Sequence, residues 1–396
     1  MLDIDLSELE PEPLDRASVN LASTGNGNGA MESAVPSGEL VTWLEQAVEL
    51  EASDLHLVPG FAPTFRVHGR LQAADSDVLD GERTRRLVEM ILPDRLRSRM
   101  DRQKDMDCSL SVAYRGRECR FRASVYLAQG QWCACLRYIP HEIPTLEWLG
   151  FPPELAERLI AHANGLVVIT GVVGSGKTAT LAALVHLLRQ DHSKRVLTVE
   201  EPIEYLHPPG AGGIVTQREV GRDVDSFADG LKHGLRQDPD VILVGEIRDR
   251  ETAQIALSAA ETGHLILATL HTRDAKGAIT RLADIFPQES QDDIRSQLAM
   301  SLRSVVCQHL LPAADAGEKR VLALEVLHAN QPVQAAIRAG KIEMLESALQ
   351  TGKRDGMITL DEDLQRLVKE GRITVDTARR LAKDPTLING PTGAWL

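Results

Sequence analysis

The chain has 396 residues, a formal net charge of −13 at pH 7 and a pI of about 5.4. This length predicts two or three domains rather than one core, and the acidic balance argues against a protein that wraps nucleic acid. No apolar run approaches the roughly 18 residues of a membrane span, and residues 1–12 are too acidic for a signal peptide. We therefore expect a cytoplasmic protein.

The amino-terminal part of the sequence divides into a tail, a small domain and a linker. Residues 1–37 are acidic and contain the run Gly-Asn-Gly-Asn-Gly, a composition typical of a disordered tail. In residues 38–140, short strand patterns alternate with helical patterns, which predicts an α+β domain. Several prolines then mark residues 141–164 as a linker with a short helix. Within the domain we expect strands near 54–58, 64–68, 108–114, 119–127 and 133–139.

From residue 165 onward, continuous apolar strand patterns alternate with helical patterns. Strands of this kind between helices predict a parallel sheet covered on both faces, and we assign residues 165–330 to this α/β domain. Residues 331–386 are predicted to form a helical carboxyl-terminal region, followed by a tail at 387–396. The predicted strands of the sheet are 166–170, 195–199, 241–244 and 265–269.

The segment 171–178 carries the strongest chemical signal. It reads Gly-Val-Val-Gly-Ser-Gly-Lys-Thr, which fits the P-loop pattern G-x-x-x-x-G-K-[ST] between a strand and a helix. Its glycines let backbone N–H groups cradle phosphates at a helix N-terminus, while the lysine reaches the β and γ phosphates and the threonine hydroxyl binds Mg²⁺. The sequence therefore predicts ATP and Mg²⁺ as cofactors, bound by Gly171, Gly174, Ser175, Gly176, Lys177 and Thr178.

Three further strand ends carry polar residues, and such ends face the ligand crevice of a parallel sheet. Glu246 follows strand 241–244 and is predicted to polarise the attacking water. Glu200 and Glu201 follow strand 195–199; we expect a cation beside these clustered acids and assign both to Mg²⁺, with Glu200 also catalytic. His271 follows strand 265–269 and is a third catalytic candidate. Each end alone is compatible with a solvated turn, but their occurrence beside one P-loop favours a site.

These four segments, in this order, resemble the secretion and type IV pilus ATPase superfamily. Walker A is 171–178, the Asp box is 198–204, Walker B is 238–249 and the His box is 260–272. The nearest branch looks like the PilT/PilU twitching-motility ATPases, and the resemblance runs from about residue 40 to residue 375.

This resemblance implies a RecA-like P-loop ATPase core, a smaller α+β, PAS-like amino-terminal domain and a motor that retracts pili. It also implies a cytoplasmic hexameric ring, docked peripherally at the inner membrane on a pilus platform protein, with a paralogous pilus ATPase as a further partner and no nucleic acid. ATP is expected between the two domains. By the same resemblance, Arg122 and Arg137 of the amino-terminal domain close on the phosphates, where a guanidinium stabilises transferring charge.

The sequence departs from the family pattern at several positions. Glu201 stands where the family usually has Asp, and Val172 replaces a proline. In the carboxyl-terminal retraction motif, placed at 332–339, Ile337 and Arg338 hold but Gln334 replaces an arginine. The four-cysteine zinc insertion usual in the assembly branch is absent from the sequence, which favours the PilT-like branch.

These departures leave alternatives open. One is a low-turnover accessory protein of the PilU kind, and another is a pilus assembly or type II secretion ATPase. A nucleic-acid motor of RecA type is opposed by the acidic balance and by the lack of a basic, aromatic-lined stripe.

Overall fold

The computed structural model describes residues 38–67, 69–100, 102–139, 142–210, 212–315 and 319–390. The predicted acidic tail at 1–37 and the last six residues lie outside this part of the chain. The described residues form two sheets, one of six strands before residue 140 and one of seven strands after residue 164. Within the same residues, no helix is both long and apolar enough to cross a membrane.

The amino-terminal domain is an antiparallel sheet with two longer helices on one face. Side chains that alternate along its strands bury against these helices, and they include Phe121 on the longest strand. The strand order is β3-β2-β1-β6-β5-β4. The elements are α1 (Glu39–Glu49), β1 (Asp54–Leu57), β2 (Thr64–Val67), β3 (Arg70–Ala73), α2 (Gly81–Ile91), α3 (Asp94–Arg97), β4 (Asp105–Tyr114), β5 (Arg117–Ala128) and β6 (Gln131–Ile139).

Two features of this sheet bear on the site. Because alternate residues face opposite sides of a strand, Arg120 and Arg122 lie on the face of β5 opposite to Phe121, away from the helices. Arg122 is paired across strands with Arg137 of β6. The sequence did not predict β3, whose four residues are all exposed and therefore lack an apolar pattern.

The second sheet has the order β13-β12-β7-β11-β10-β8-β9, with only β13 antiparallel to its neighbour. Strands β7, β10 and β11 are buried along their whole length, so the predicted parallel α/β sheet is confirmed. The elements are β7 (Gly165–Thr170), α6 (Lys177–Arg189), β8 (Arg195–Glu200), β9 (Ile214–Glu219), α7 (Phe227–Gly234), β10 (Val241–Val244), α8 (Arg250–Glu261), β11 (Leu265–Leu270), α9 (Ala275–Asp284), α10 (Gln291–Ser301), β12 (Leu302–Leu311) and β13 (Val321–His328).

Three strands of this sheet were not predicted: β9, β12 and β13. β9 is a half-exposed edge strand, and polar residues interrupt the apolar pattern of β12. Two of these polar residues are buried and each has a side-chain partner: the Gln308 amide donates to the Thr180 hydroxyl at 2.8 Å, and the Ser304 hydroxyl lies 2.8 Å from Nδ1 of His328.

The segment predicted as a linker, 141–164, is packed against the core. It contains α4 (Leu146–Leu149) and α5 (Pro153–Ile160). Leu155 and Leu159 of α5 are buried in the same apolar cluster as Leu184 of α6. The segment is therefore part of the second domain as well as the connection between the two sheets.

The carboxyl-terminal region is helical, with α11 (Gln331–Arg338), α12 (Met344–Thr351), α13 (Leu360–Lys369) and α14 (Val375–Leu381). It is attached to β13 by buried polar contacts, since Asp363 accepts from the Leu324 N–H at 2.8 Å and Lys383 pairs with Glu325 at 2.7 Å. Ile388, which lies in the segment predicted as a tail from residue 387, is fully buried in the apolar cluster of this region.

Candidate functional site

The P-loop lies between β7 and α6, and its backbone requires glycine. Gly171 has a φ of 146°, and a Cβ there would lie 2.4 Å from the Gln308 carbonyl oxygen and 2.5 Å from Ser175 Oγ. Gly176 has a φ of 90° immediately before α6 begins. Side chains at these positions are excluded by contact or by backbone strain, so the loop keeps an open curve above the helix N-terminus.

This loop offers unsatisfied polar groups to a ligand. α6, which lies wholly within the described chain, has no side-chain cap at its N-terminus, so its first N–H groups are available to an anion. The hydroxyl of Ser175 is buried and has no hydrogen-bond partner among the described residues. A buried polar atom without a partner is costly, and phosphate oxygens would satisfy both groups.

Lys177 is buried at the start of α6 with its ammonium turned onto the loop. Its Nζ donates to the carbonyl oxygens of Gly171 at 2.8 Å and Val172 at 3.1 Å. Burial lowers the pKa of this ammonium, and the nearby Glu246 carboxylate opposes that effect. The lysine is thus positioned where an anion held by the loop would gain a direct charge partner.

Glu246 stands at the centre of a charged cluster beside Lys177. Its carboxylate is 2.7 Å from Nε of Arg248 and 3.4 Å from Nε2 of His271. Nδ1 of His271 lies 3.4 Å from Lys177 Nζ, which fits the tautomer that carries its proton on Nε2. His271 therefore connects the P-loop lysine with the acid at the neighbouring strand end.

The two glutamates at the end of β8 have different environments. Glu200 is buried and accepts from the Thr198 hydroxyl at 2.6 Å and from Gln217 Nε2 at 3.2 Å. Burial raises the pKa of Glu200 to about 7, although these two hydrogen bonds oppose it. Glu201 is exposed and forms an ion pair with Arg248 at 2.8 Å. The two carboxylates therefore do not act as one ligand pair.

The arginines of the amino-terminal domain line the same cleft as the P-loop. This cleft has a volume of 1130 Å³ and lies between the two sheets. Arg137 is held by the buried carboxylate of Asp54 at 2.8 Å, and Arg122 lies 3.8 Å from Asp107. Arg120, on the same face of β5, donates to the Ile203 carbonyl oxygen at 3.1 Å and so joins the domains.

The structure thus gathers the predicted site residues around one cleft, except Gly171, which shapes the P-loop but does not line the cleft. Those lining it are Gly174, Ser175, Gly176, Lys177, Thr178, Glu200, Glu201, Glu246, His271, Arg122 and Arg137. Sequence reasoning assigned no role to Arg248, which bridges Glu246 and Glu201. The feature of the sequence that could have identified Arg248 as a site residue is its position two residues after Glu246, in a segment at the strand end that is otherwise acidic.

The residues present fit a magnesium nucleotide better than a resident metal ion. In the described part of the chain, no group of three or more His, Cys, Asp or Glu is arranged to hold a metal. The cleft does offer the Thr178 hydroxyl and the Glu200 carboxylate, and Mg²⁺ in nucleotide enzymes typically uses one or two protein oxygens and several phosphate oxygens. The site therefore suits a metal that enters with the nucleotide.

A P-loop at the carboxyl edge of a parallel sheet, with acids on the neighbouring strand ends, defines a P-loop nucleotide triphosphatase. A family model described as "Type II/IV secretion system protein" matches residues 32–392. The chain belongs to this family.

Named relatives and solved structures agree with this assignment. An "uncharacterized protein YggR" of Escherichia coli is 42% identical over 327 residues, covering 83% of this chain and 97% of that one. A type IV pilus retraction ATPase, PilT, of Pseudomonas aeruginosa is 40% identical, covering 84% and 95%. A crystal structure of the pilus retraction motor PilT with bound ADP is 39% identical with a TM-score of 0.77, covering 88% and 98%.

These matches confirm three predictions made from the sequence. The superfamily resemblance is confirmed over nearly the whole described chain. The RecA-like P-loop fold and the assignment to the ATP hydrolases are confirmed as well. The roles of individual site residues remain predictions that rest on the geometry.

Proposed function

We propose that this chain is the subunit of a hexameric motor ATPase that couples ATP hydrolysis to the retraction of type IV pili. The observation that carries the chemistry is the contact series Lys177–His271–Glu246 beside the P-loop. The biological assignment is supported by the relatives named for pilus retraction, which align over nearly their whole length. ATP and Mg²⁺ are the proposed cofactors.

The loop and the start of α6 bind the phosphates through backbone N–H groups, the Ser175 hydroxyl and Lys177. Thr178 and Glu200 are the residues that we assign to Mg²⁺, since Glu201 is already paired with Arg248. When bound, Mg²⁺ neutralises charge on the β and γ phosphates.

Glu246 accepts a hydrogen bond from the attacking water and so orients it toward the γ-phosphate. Its position beside β10 brings it to the edge of the sheet where the phosphates are held, and its pairing with Arg248 and His271 fixes the carboxylate. Holding the reacting groups in line is the main contribution that such enzymes make.

Motion is proposed to arise in the cleft between the two sheets. Arg122 and Arg137 line the same cleft as the P-loop, so a triphosphate bound by the loop would draw the amino-terminal domain toward it, and loss of the triphosphate would release the domain. In a ring, this domain would also contact the core of the next subunit, so that its movement passes rotation from subunit to subunit and to an inner-membrane pilus platform protein.

Glu246→Ala tests the chemistry, and deletion of the gene tests the biology. We expect the variant to bind ATP with nearly normal affinity but not to cleave it, whereas Lys177→Ala should lose tight ATP binding. Normal hydrolysis by Glu246→Ala would show that another group orients the water. A strain lacking the gene should keep its surface pili but lose twitching; unchanged twitching would contradict the retraction assignment.

A low-turnover accessory subunit is the second candidate function, and α11 provides the observation for it. This helix carries the altered retraction motif, in which Gln334 stands in place of an arginine. The Gln334 side-chain amide donates to the Ala329 carbonyl oxygen, just before the start of the helix, at 3.0 Å. Within the motif, residues 332–339, the exposed Arg338 is therefore the remaining positively charged side chain. ATP binding without turnover by the isolated protein would favour this candidate.

A further inference from the structure

The cleft extends past the P-loop, on the side away from the acidic strand ends. Strands β11, β10 and β8, which lead to His271, Glu246 and Glu200, all lie on one side of β7, while β12 and β13 lie on the other. Under the proposed function, the γ-phosphate belongs beside Glu246. The remainder of a nucleotide must then run across the P-loop toward β12 and β13.

An apolar surface lies at that end of the cleft. β12 pairs with β7 as far as Cys307, opposite Thr170, and then continues beside the P-loop. Leu310 of this extension approaches the loop so closely that a Cβ on Gly176 would lie 3.5 Å from it. Leu322 is the cross-strand partner of Leu310, and both side chains line the cleft.

Trp148 of α4 lines the same end of the cleft, because its ring is in contact with Lys319, which precedes Leu322 by three residues. Its side chain lines the cleft although 58% of the residue is exposed, an unusual position for a large aromatic residue. The Lys319 ammonium lies 4.7 Å from the centroid of the ring and also donates to the Trp148 carbonyl oxygen. Arg320 donates to the Gly174 carbonyl oxygen at 3.4 Å, which connects this corner to the P-loop itself.

We infer that Trp148 stacks on the base of the bound nucleotide and favours purine over pyrimidine nucleotides. Leu149, Leu310 and Leu322 supply the apolar surface against which the base edge packs. The inference rests on the proposed function, because it uses the γ-phosphate position to orient the ligand. A planar base gains affinity from an exposed aromatic face, and the larger purine ring system covers more of an indole than a pyrimidine does.

The test separates base recognition from phosphate recognition in the full-length protein. Trp148→Ala, Trp148→Phe and the matched control Phe61→Ala are compared with the wild type. Phe61 is also an exposed aromatic residue, at 64%, but it lies outside the cleft. For each protein, KM and kcat are measured with ATP and with CTP, and inorganic tripolyphosphate is used as a competitor that has no base.

We expect Trp148→Ala to raise KM for ATP about tenfold, with kcat within about twofold of wild type and inhibition by tripolyphosphate unchanged. The rise in KM should be smaller for CTP than for ATP, so the ratio of kcat/KM for ATP to kcat/KM for CTP should decrease. Trp148→Phe should retain most of the affinity, and Phe61→Ala should match the wild type.

Two results would overturn the inference. One is an unchanged KM for ATP in Trp148→Ala, and the other is an equal loss of affinity for ATP and tripolyphosphate, which would place the effect in the P-loop. Failure of the proposed function is a separate outcome, because it appears as absence of nucleotide turnover in the wild type itself.

Discussion

Glu200→Gln is expected to stabilise the protein above neutral pH. The glutamate is buried, and its carboxylate accepts one hydrogen bond from Thr198 and one from Gln217. A glutamine oxygen can accept both, so the substitution preserves shape and removes only the charge. The perturbation therefore isolates the energetic cost of ionising this one buried group.

The magnitude follows from the pKa, which burial raises from the ordinary 4.5 to about 7. The folded protein consequently holds this proton at higher pH than the unfolded chain does, and stability falls as the pH rises through the window from 4.5 to 7. At 1.36 kcal/mol for each pKa unit, the full loss is about 3 kcal/mol above this window. Between about pH 5 and about pH 8, the loss is 2 to 3 kcal/mol.

Urea unfolding at these two pH values measures the effect. Relative to wild type, Glu200→Gln should gain about 2 to 3 kcal/mol in the free energy of unfolding when the pH is raised from about 5 to about 8. Glu289→Gln, a change at an exposed glutamate, serves as the control and should keep the wild-type pH dependence. A pH dependence in Glu200→Gln equal to that of wild type would refute the reasoning.

Three further predictions concern catalysis, the cleft and the carboxyl-terminal region. Glu246→Gln should lower kcat by at least about a hundredfold in steady-state assays while ADP affinity by calorimetry stays near wild type. Asp54→Asn should raise KM for ATP and lower the free energy of unfolding by about 1 to 2 kcal/mol, because Arg137 loses the carboxylate that holds it. Lys383→Met leaves the buried Glu325 carboxylate without its cation, so thermal or urea unfolding should show a loss of about 3 kcal/mol, largely restored by Lys383→Arg.

The central chemistry was predictable because it is encoded locally. The pattern at 171–178 combines a strand, glycines and a helix start within eight residues, and each strand end after it follows a continuous apolar run. Such signals depend on neighbours in the chain. The structure places the residues taken from these segments, apart from Gly171, on one cleft, as expected when parallel strands end at the same edge of a sheet.

Other parts of the site depend on contacts between distant segments. Trp148 lies in α4, before the first strand of the parallel sheet. It lines the cleft because α4 packs against α6. The role of β12 beside the P-loop is hidden by polar residues such as Gln308, whose partner Thr180 lies 128 positions away. Arg248 likewise bridges Glu246 to Glu201, and Glu201 is 47 positions away in the sequence. Periodicity within one segment contains no information on such pairs.

The most direct test of the motor assignment is steady-state Mg-ATPase activity of the purified chain over a concentration series, with Lys177→Ala as the control. We predict that the ATPase rate per subunit rises with protein concentration to a plateau, because neighbouring subunits complete the active site in a ring. We predict that the Lys177→Ala protein has no such activity. ATP binding without turnover at any concentration would contradict the motor assignment and favour the accessory function.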